Sequence, residues 1–248
     1  MNGKMIVFDG NSILNRAYYG VRPLNTKDGF PTNALFGFVN ILQKNLAPGY
    51  DYAAIAYDLR EKTFRHIRCD TYKATRRPMP EDLAKQLPVS KEIAELMGLH
   101  VLTAAGFEAD DILGTLSRIA KENDVECVIV TGDRDSYQLV CDGVTVHLAA
   151  NNETRIIDTK AIDEMYGLTP SQLIDLKAVM GDSSDNISGV PGIGEKGALE
   201  LMHQYGSLDG IYAHIDEIKG SKKTKLENGR KDAYMSRFLA EISKSAPV

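Results

Sequence analysis

Gly106-Phe-Glu-Ala-Asp-Asp-Ile-Leu-Gly114, followed by Thr131-Gly-Asp-Arg-Asp135, is the part of the chain on which its reading turns. After Glu108, Asp110 and Asp111, the apolar residues Ile112, Leu113, Leu116, Ile119 and Ala120 recur at helical spacing. The pattern predicts a helix with carboxylates in its first turn. The helix dipole accounts for one or two of them. Three within four residues repel one another unless a cation sits among them. Cys127-Val-Ile-Val130 reads as a buried strand, which puts Asp133 and Asp135 where a parallel sheet ends, the usual place for an α/β site. The two clusters read as facing walls of one divalent-metal site.

The same event recurs upstream. Lys4-Met-Ile-Val-Phe-Asp9 predicts a first buried strand ending in a carboxylate, with Asn11 or Ser12 as the cap of the helix that follows. A second helix runs from Asn33 through Leu46. Tyr52-Ala-Ala-Ile-Ala-Tyr57 predicts a second strand, and Asp58 ends it. A lone Asp after a strand is usually a turn residue or a cap. Repetition at Asp9, Asp58 and Asp133 fits a shared site better than independent caps. Further strands are expected at Gly98–Leu102, Val144–Leu148 and Arg155–Ile157, and helices at Glu81–Met97 and from Thr159 to Gly167.

Composition bounds the rest. At 248 residues, 43% hydrophobic and 25% charged, the chain can bury a sizeable core. The start of the chain reads as neither a signal peptide nor a membrane span. Cys69, Cys127 and Cys141 show no CxxC spacing and fit a reducing compartment. The five histidines have no ligand spacing. A formal charge of −5 argues against a generic nucleic-acid coat protein, but the charge is unevenly spread. Arg60, Lys62, Arg65, Arg68, Lys73, Arg76 and Arg77 crowd one excursion, which could be a solvated face, a helix or a segment ordered on binding. Lys219, Lys222, Lys223, Lys225, Arg230 and Lys231 crowd another. Bound metal would offset the acidic clusters and leave basic flanks for a polyanion.

From Thr169 short helices alternate with glycine-rich turns. Gly189-Val-Pro-Gly-Ile-Gly194, with Lys196 behind it and a helix from Ala198 to Tyr205, is similar to the hairpin of a helix–hairpin–helix, which holds duplex DNA through phosphates without reading sequence. The bland reading is a Gly/Pro-rich connector. Tyr72 among Lys73, Arg76 and Arg77 suits stacking on an unpaired base. The last helix carries Met235, Phe238, Leu239 and Ile242, after which Ser245–Val248 trails off.

At these residues the chain resembles the 5′-nuclease (flap endonuclease) family, specifically the 5′-3′ exonuclease domains at the front of bacterial DNA polymerases. The resemblance runs nearly end to end, through Phe8-Asp-Gly-Asn11, Tyr72-Lys-Ala-Thr-Arg76, Glu108-Ala-Asp-Asp111, Thr131-Gly-Asp-Arg-Asp135, Met180-Gly-Asp-Ser-Ser-Asp-Asn186 and Gly189-Val-Pro-Gly-Ile-Gly-Glu-Lys196. It implies an α/β fold, a mostly parallel central sheet flanked by helices. The core is expected over 1–168, with a basic arch at about 59–80, and a helix–hairpin–helix subdomain over 169–248. It implies two Mg²⁺ ions, with Mn²⁺ as a substitute: Asp9, Asp58, Glu108, Asp110 and Asp111 serving one, Asp133, Asp135, Asp182 and Asp185 the other, some through water. Arg16, Lys73 and Arg76 would contact the scissile phosphate and 5′ strand, with Tyr72 and Arg77 on the DNA. Gly189, Val190, Gly192, Gly194 and Lys196 would hold duplex DNA, in the family often with a bound K⁺. The implied activity is hydrolysis at 5′ flaps and 5′ ends in Okazaki-fragment primer removal and DNA repair. The implied setting is a cytoplasmic monomer at the bacterial nucleoid, without membrane contact, fused to or cooperating with a DNA polymerase.

Ser136, Ser188, Gly197, Thr75 and Arg77 depart from common family residues, but no departure removes a carboxylate. Gly197 is expected to loosen the hairpin subdomain. The rival readings are a non-catalytic DNA-binding module and a PIN-type ribonuclease. The second leaves the hairpin unexplained. A phosphatase reading of Asp133-x-Asp135 lacks the accompanying nucleophile loop.

Overall fold

The structure, a computed structural model, describes residues 2–149 and 154–248. Its contacts divide it into two compact units, Met1–Glu61 with Pro78–Asp158 and Ile242–Val248, and Lys62–Arg77 with Thr159–Glu241.

The first unit is built on a sheet of β1 (Lys4–Asp9), β2 (Tyr52–Ala56), β3 (His100–Leu102), β4 (Glu126–Thr131), β5 (Val144–Ala149) and β6 (Thr154–Ile157), ordered β3-β2-β1-β4-β5-β6. All pairs are parallel except β5–β6. Parallel strands covered on both faces read as continuous apolar runs, which is why β1 and β4 were legible. Ile6, Phe8, Val128 and Val130 belong to one core with residues of α1 (Gly10–Gly20), α2 (Asn33–Leu46) and α4 (Glu81–Leu96). The order reverses between β1 and β4, so their carboxyl ends flank the crevice where ligands of open α/β sheets bind. α5 (Ala109–Glu122) packs against β1 and β4. Strand ends differ from expectation by a residue or two: β2 and β3 stop short of the expected runs, while β4, β5 and β6 reach past them.

Two expectations need correction here. The cap of α1 is Asp9 itself, whose side chain accepts from the Ser12 N–H. The C-terminal segment does not trail off either: Ile242 lies beyond the last helix, and Ala246 is buried. Ser243 N–H donates to Asp111 Oδ1 (2.8 Å), Ala246 N–H to Thr115 Oγ1 (2.8 Å), and Arg118 Nε to the Lys244 carbonyl (2.8 Å). α5 admits this segment at Gly114, where a Cβ would stand 2.8 Å from the Ser243 carbonyl oxygen.

The second unit contains α3 (Phe64–Arg68), α6 (Thr159–Tyr166), α7 (Gln172–Met180), α8 (Glu195–Tyr205), α9 (Leu208–Ala213) and α10 (Gly220–Ala240). Its core gathers Leu176, Val179, Val190, Ile193, Leu201, Met202, Leu226 and Ala233. Among the described residues no helix is long and apolar enough to cross a membrane.

Candidate functional site

In the first unit the carboxylates gather at strand ends and the start of α5. Asp9 is buried: Oδ1 accepts from Ser12 N–H (2.9 Å) and Oδ2 from Thr131 Oγ1 (2.8 Å). Thr131 Oγ1 in turn accepts from Asp133 N–H (3.0 Å), and Asp133 Oδ1 from Asp135 N–H (2.9 Å), capping the 3₁₀ turn Arg134–Leu139. Burial pushes the Asp9 carboxyl up to about 7; the Ser12 bond opposes this, while repulsion from Asp58 and Asp133 adds to it. Such a buried, crowded carboxylate favours a proton or a cation. Asp58 Oδ1 accepts from the Ala109 N–H at the start of α5 (2.8 Å), and its own N–H donates to Asn11 Oδ1 (2.9 Å).

Of the acidic triplet, Glu108 and Asp111 form a reciprocal capping box. Asp111 is fully buried, and its oxygens accept from Glu108 N–H (3.0 Å) and Ser243 N–H. The bland reading of acidic residues in a first turn thus describes two of the three, and Asp110 follows half-buried beside them. Ser12 Oγ accepts from Gly132 N–H (2.9 Å), and Arg16 reaches the same point, its Cδ and Nη1 lying 3.4 and 3.5 Å from where a Gly132 Cβ would be. Arg16 Nε is buried without a hydrogen-bond partner, a donor suited to an anionic oxygen.

In the second unit the loop between α7 and α8 is closed by an antiparallel bridge of Asp182 with Ile187. Asp182 and Asp185 offer carboxylate oxygens within 4.8 Å of one another and could hold a divalent cation. Burial alone would raise Asp182, but hydrogen bonds from Lys177 (Nζ–Oδ2 2.7 Å) and Ser184 overcome it and hold the carboxyl down at about 2. Asp185 Oδ1 accepts from Arg76 Nε (3.1 Å), its Oδ2 lies 3.9 Å from Lys73 Nζ, and its carbonyl accepts from Lys73 N–H (2.9 Å). Lys73 stands in the left-handed region (φ 56°), and Asn186 Nδ2 donates to the Thr71 carbonyl (2.7 Å). The basic segment is therefore built onto the acidic loop.

Three sequence expectations change here. Tyr72 is only 4% exposed, packed edge-on against His66 and clustered with Ile187 and Leu239, with Lys73 Nζ 4.9 Å over its ring. It is a core residue that fixes Lys73, not an open stacking platform. Arg65, counted among the surface cations, is 2% exposed and donates through Nε to the Leu239 carbonyl (3.0 Å) and through Nη2 to that of Glu241. It satisfies carbonyls at the end of α10. Val190 is buried too, so its side chain packs inside while Gly192, Gly194 and Lys196 stay exposed. Arg77 is exposed.

Residues 4–167 match the family described as 5′-3′ exonuclease, N-terminal resolvase-like domain, and residues 168–248 the one described as 5′-3′ exonuclease, C-terminal SAM fold. The chain belongs to the 5′-3′ exonuclease family. It is a nuclease domain, a hydrolase of phosphodiester bonds. It is 40% identical over 250 residues to DNA polymerase I of Caldicellulosiruptor bescii, covering 99% of this chain. It is 40% identical over 252 residues to that of Bacillus caldotenax, covering 100%. In both cases the chain spans 29% of the relative's length. The fold is shared with the bacteriophage T5 flap endonuclease, solved in complex with DNA and metal ions (TM-score 0.80, 21% identity, 96% of this chain and 89% of that one).

Within this 5′-3′ exonuclease fold the donor set is all oxygen, which suits hard cations such as Mg²⁺ or Mn²⁺ over zinc or copper. The buried, ionisation-opposed Asp9 supports the same fit. From the sequence alone Thr131 has no assigned role, and Ser12 is only a candidate helix cap. Their hydroxyls tie Asp9, Gly132 and Asp133 into one network, and an isolated Ser or Thr carries no signal of that. Lys177, the partner of Asp182, was also missed; a single lysine in a largely apolar helix carries no signal of its partner.

Proposed function

We propose that this domain cuts DNA at 5′ flaps and 5′ ends with two divalent metal ions, serving primer removal and repair beside a DNA polymerase in the cytoplasm. The observation that carries it is the buried Asp9 carboxylate, held between Ser12 and Thr131 at the switch point of the sheet and crowded by Asp58 and Asp133. Polymerases named as relatives and a flap endonuclease of the same fold support the substrate class.

When bound, such ions activate water and stabilise the leaving oxygen. We assign Asp9 and Asp110 to one, with Asp58, Glu108 and Asp111 shaping the start of α5 and acting through water. To the other we assign Asp133, Asp135, Asp182 and Asp185. Arg16, its Nε available beside Gly132, would bind a phosphate oxygen. Lys73 and Arg76, oriented in advance by Asp185, would offset charge developing on the phosphate. Arg77 and the exposed backbone from Gly192 to Gly194, with Lys196 at the α8 N-terminus, would hold DNA phosphates.

Cleavage of a labelled 5′-flap duplex and its 3′-flap mirror, with Mg²⁺ and with EDTA, tests this reading. Mg²⁺-dependent cutting of the 5′ flap alone is expected. Binding without cutting would favour the non-catalytic module instead.

A further inference from the structure

α10 crosses the Gly189–Gly194 turn at Gly229. A Cβ there would stand 2.9 Å from Val190 Cγ1 and 3.2 Å from Pro191 Cδ, so glycine permits the close approach. Glycine inside a helix costs about 1 kcal/mol against alanine, and here the cost has a geometric return. One turn earlier on the same face, Lys225 bends onto the hairpin. Its Nζ donates to the Gly192 carbonyl (3.0 Å), and its Cε and Nζ would lie 3.0 and 3.1 Å from a Cβ on Gly192. A second tie runs from Gly189 N–H to Ser236 Oγ (3.0 Å).

The neighbouring lysines are neutralised: Lys222 pairs with Glu200, and Lys223 with Asp216 and Glu227. Lys225 is different. Among the described residues no carboxylate pairs with it, and its recorded partner is an uncharged carbonyl. Its charge is therefore uncompensated at the exposed turn.

The family resemblance leads one to expect K⁺ at this hairpin. The residues present do not fit it. The Gly192 carbonyl accepts from an ammonium belonging to the chain, and that positive charge repels a second cation at the same oxygen. We propose that Lys225 stands in place of an alkali ion: it braces the turn at Gly192 and offers its remaining N–H donors to a phosphate of the bound duplex. An ammonium has three donors, of which one is used here. Tethering also makes its local concentration independent of the surrounding salt. The proposal rests on the hairpin as the duplex-binding element. It adds to that reading a phosphate-contacting residue and the absence of alkali-ion selectivity.

The test measures duplex affinity of the full chain, in Ca²⁺ to suppress cutting, at one ionic strength set with KCl, NaCl or N-methylglucamine chloride. Wild type should bind within about twofold in all three, and Lys225→Met should bind more weakly, with a salt slope reduced by about one and a new preference for KCl. Lys225→Gln serves as a second variant, and melting curves of both establish that the fold is intact. Tighter wild-type binding in KCl than in N-methylglucamine would overturn the proposal without any variant. So would wild-type affinity in both variants while Lys196→Ala binds weakly. If Lys196→Ala and both Lys225 variants all bind as wild type, the hairpin reading itself falls.

Discussion

Asp9 and Ser136 show how much depends on single atoms near the strand ends. Asp9 is held at about 7 against an ordinary 3.8, so the folded protein favours its protonated form. Stability from that preference is fully present below 3.8 and lost as pH rises through 7, at up to ~1.4 kcal/mol per pH unit across the window. Asp9→Asn stays neutral and can keep its contacts with Ser12 and Thr131. In EDTA it should melt at a similar temperature to wild type near pH 4 and above it at pH 8. If Mg²⁺ binds at Asp9 in the folded protein, it should raise the wild-type midpoint more than that of the variant, which keeps the second set of carboxylates. A variant less stable than wild type at pH 8 would show that the charge is tolerated without metal. Asp182 has the opposite sign: its contribution is present above 3.8 and is lost only as pH falls through about 2, so the Lys177 pair persists in acid. Ser136, one of the departures from the family resemblance, is fully buried with its Oγ lacking a partner. An unsatisfied buried hydroxyl costs about 1–3 kcal/mol, so Ser136→Ala should raise the melting temperature. A fall would mean that the hydroxyl is satisfied in solution.

At the scale of elements, the basic segment is held in place by the residue that looked like one more surface cation. Arg65 satisfies the Leu239 and Glu241 carbonyls from a buried position. Arg65→Met leaves both without their donor and should destabilise the protein by about 2–4 kcal/mol. It should also open residues 62–77 to limited proteolysis. Lys at this position cannot reproduce the planar fork and should not restore protection. Unchanged proteolysis would mean that Asp185 and Asn186 suffice to order the segment. Gly132 belongs to the same scale. A Cβ there would meet Ser12 Oγ at 3.0 Å and Arg16 beyond it, so Gly132→Ala should lower cleavage far more than stability. Equal losses in both would place it in the scaffold instead.

At the scale of the whole molecule, a chain with net charge −5 separates its charges, which suits the proposed polyanion. Carboxylates crowd strand ends and one loop, cations one excursion and the stretch from Lys219 to Lys231. Mutation of Lys196 to Ala should flatten the salt dependence of duplex binding by about one unit; an unchanged slope would remove it from the phosphate contacts. The C-terminal residues act at this scale too, returning from α10 to lie across α5. Deleting 242–248 would uncover Gly114 and remove the Ser243 N–H from Asp111 and the Ala246 N–H from Thr115. The expected result is a melting temperature lower by several degrees.

The sequence by itself determined the strands, because buried parallel strands must be apolar throughout. It also determined the helix opening at Glu108, through apolar spacing, and the candidate carboxylates, because Asp9, Asp58 and Asp133 repeat the same strand-end position. Only the tertiary structure decided which of these polar residues hold the fold together. Tyr72, Arg65, Asp111 and Lys225 have the composition of surface or site residues, and their partners lie between 33 and 176 residues away in the chain. Near partners exist as well, such as His66 beside Tyr72 and Glu108 beside Asp111, but they do not account for the burial. Local pattern reports the periodicity with which a residue is buried, whereas a hydrogen bond between distant residues depends on how closed segments meet in space, and periodicity contains no record of that.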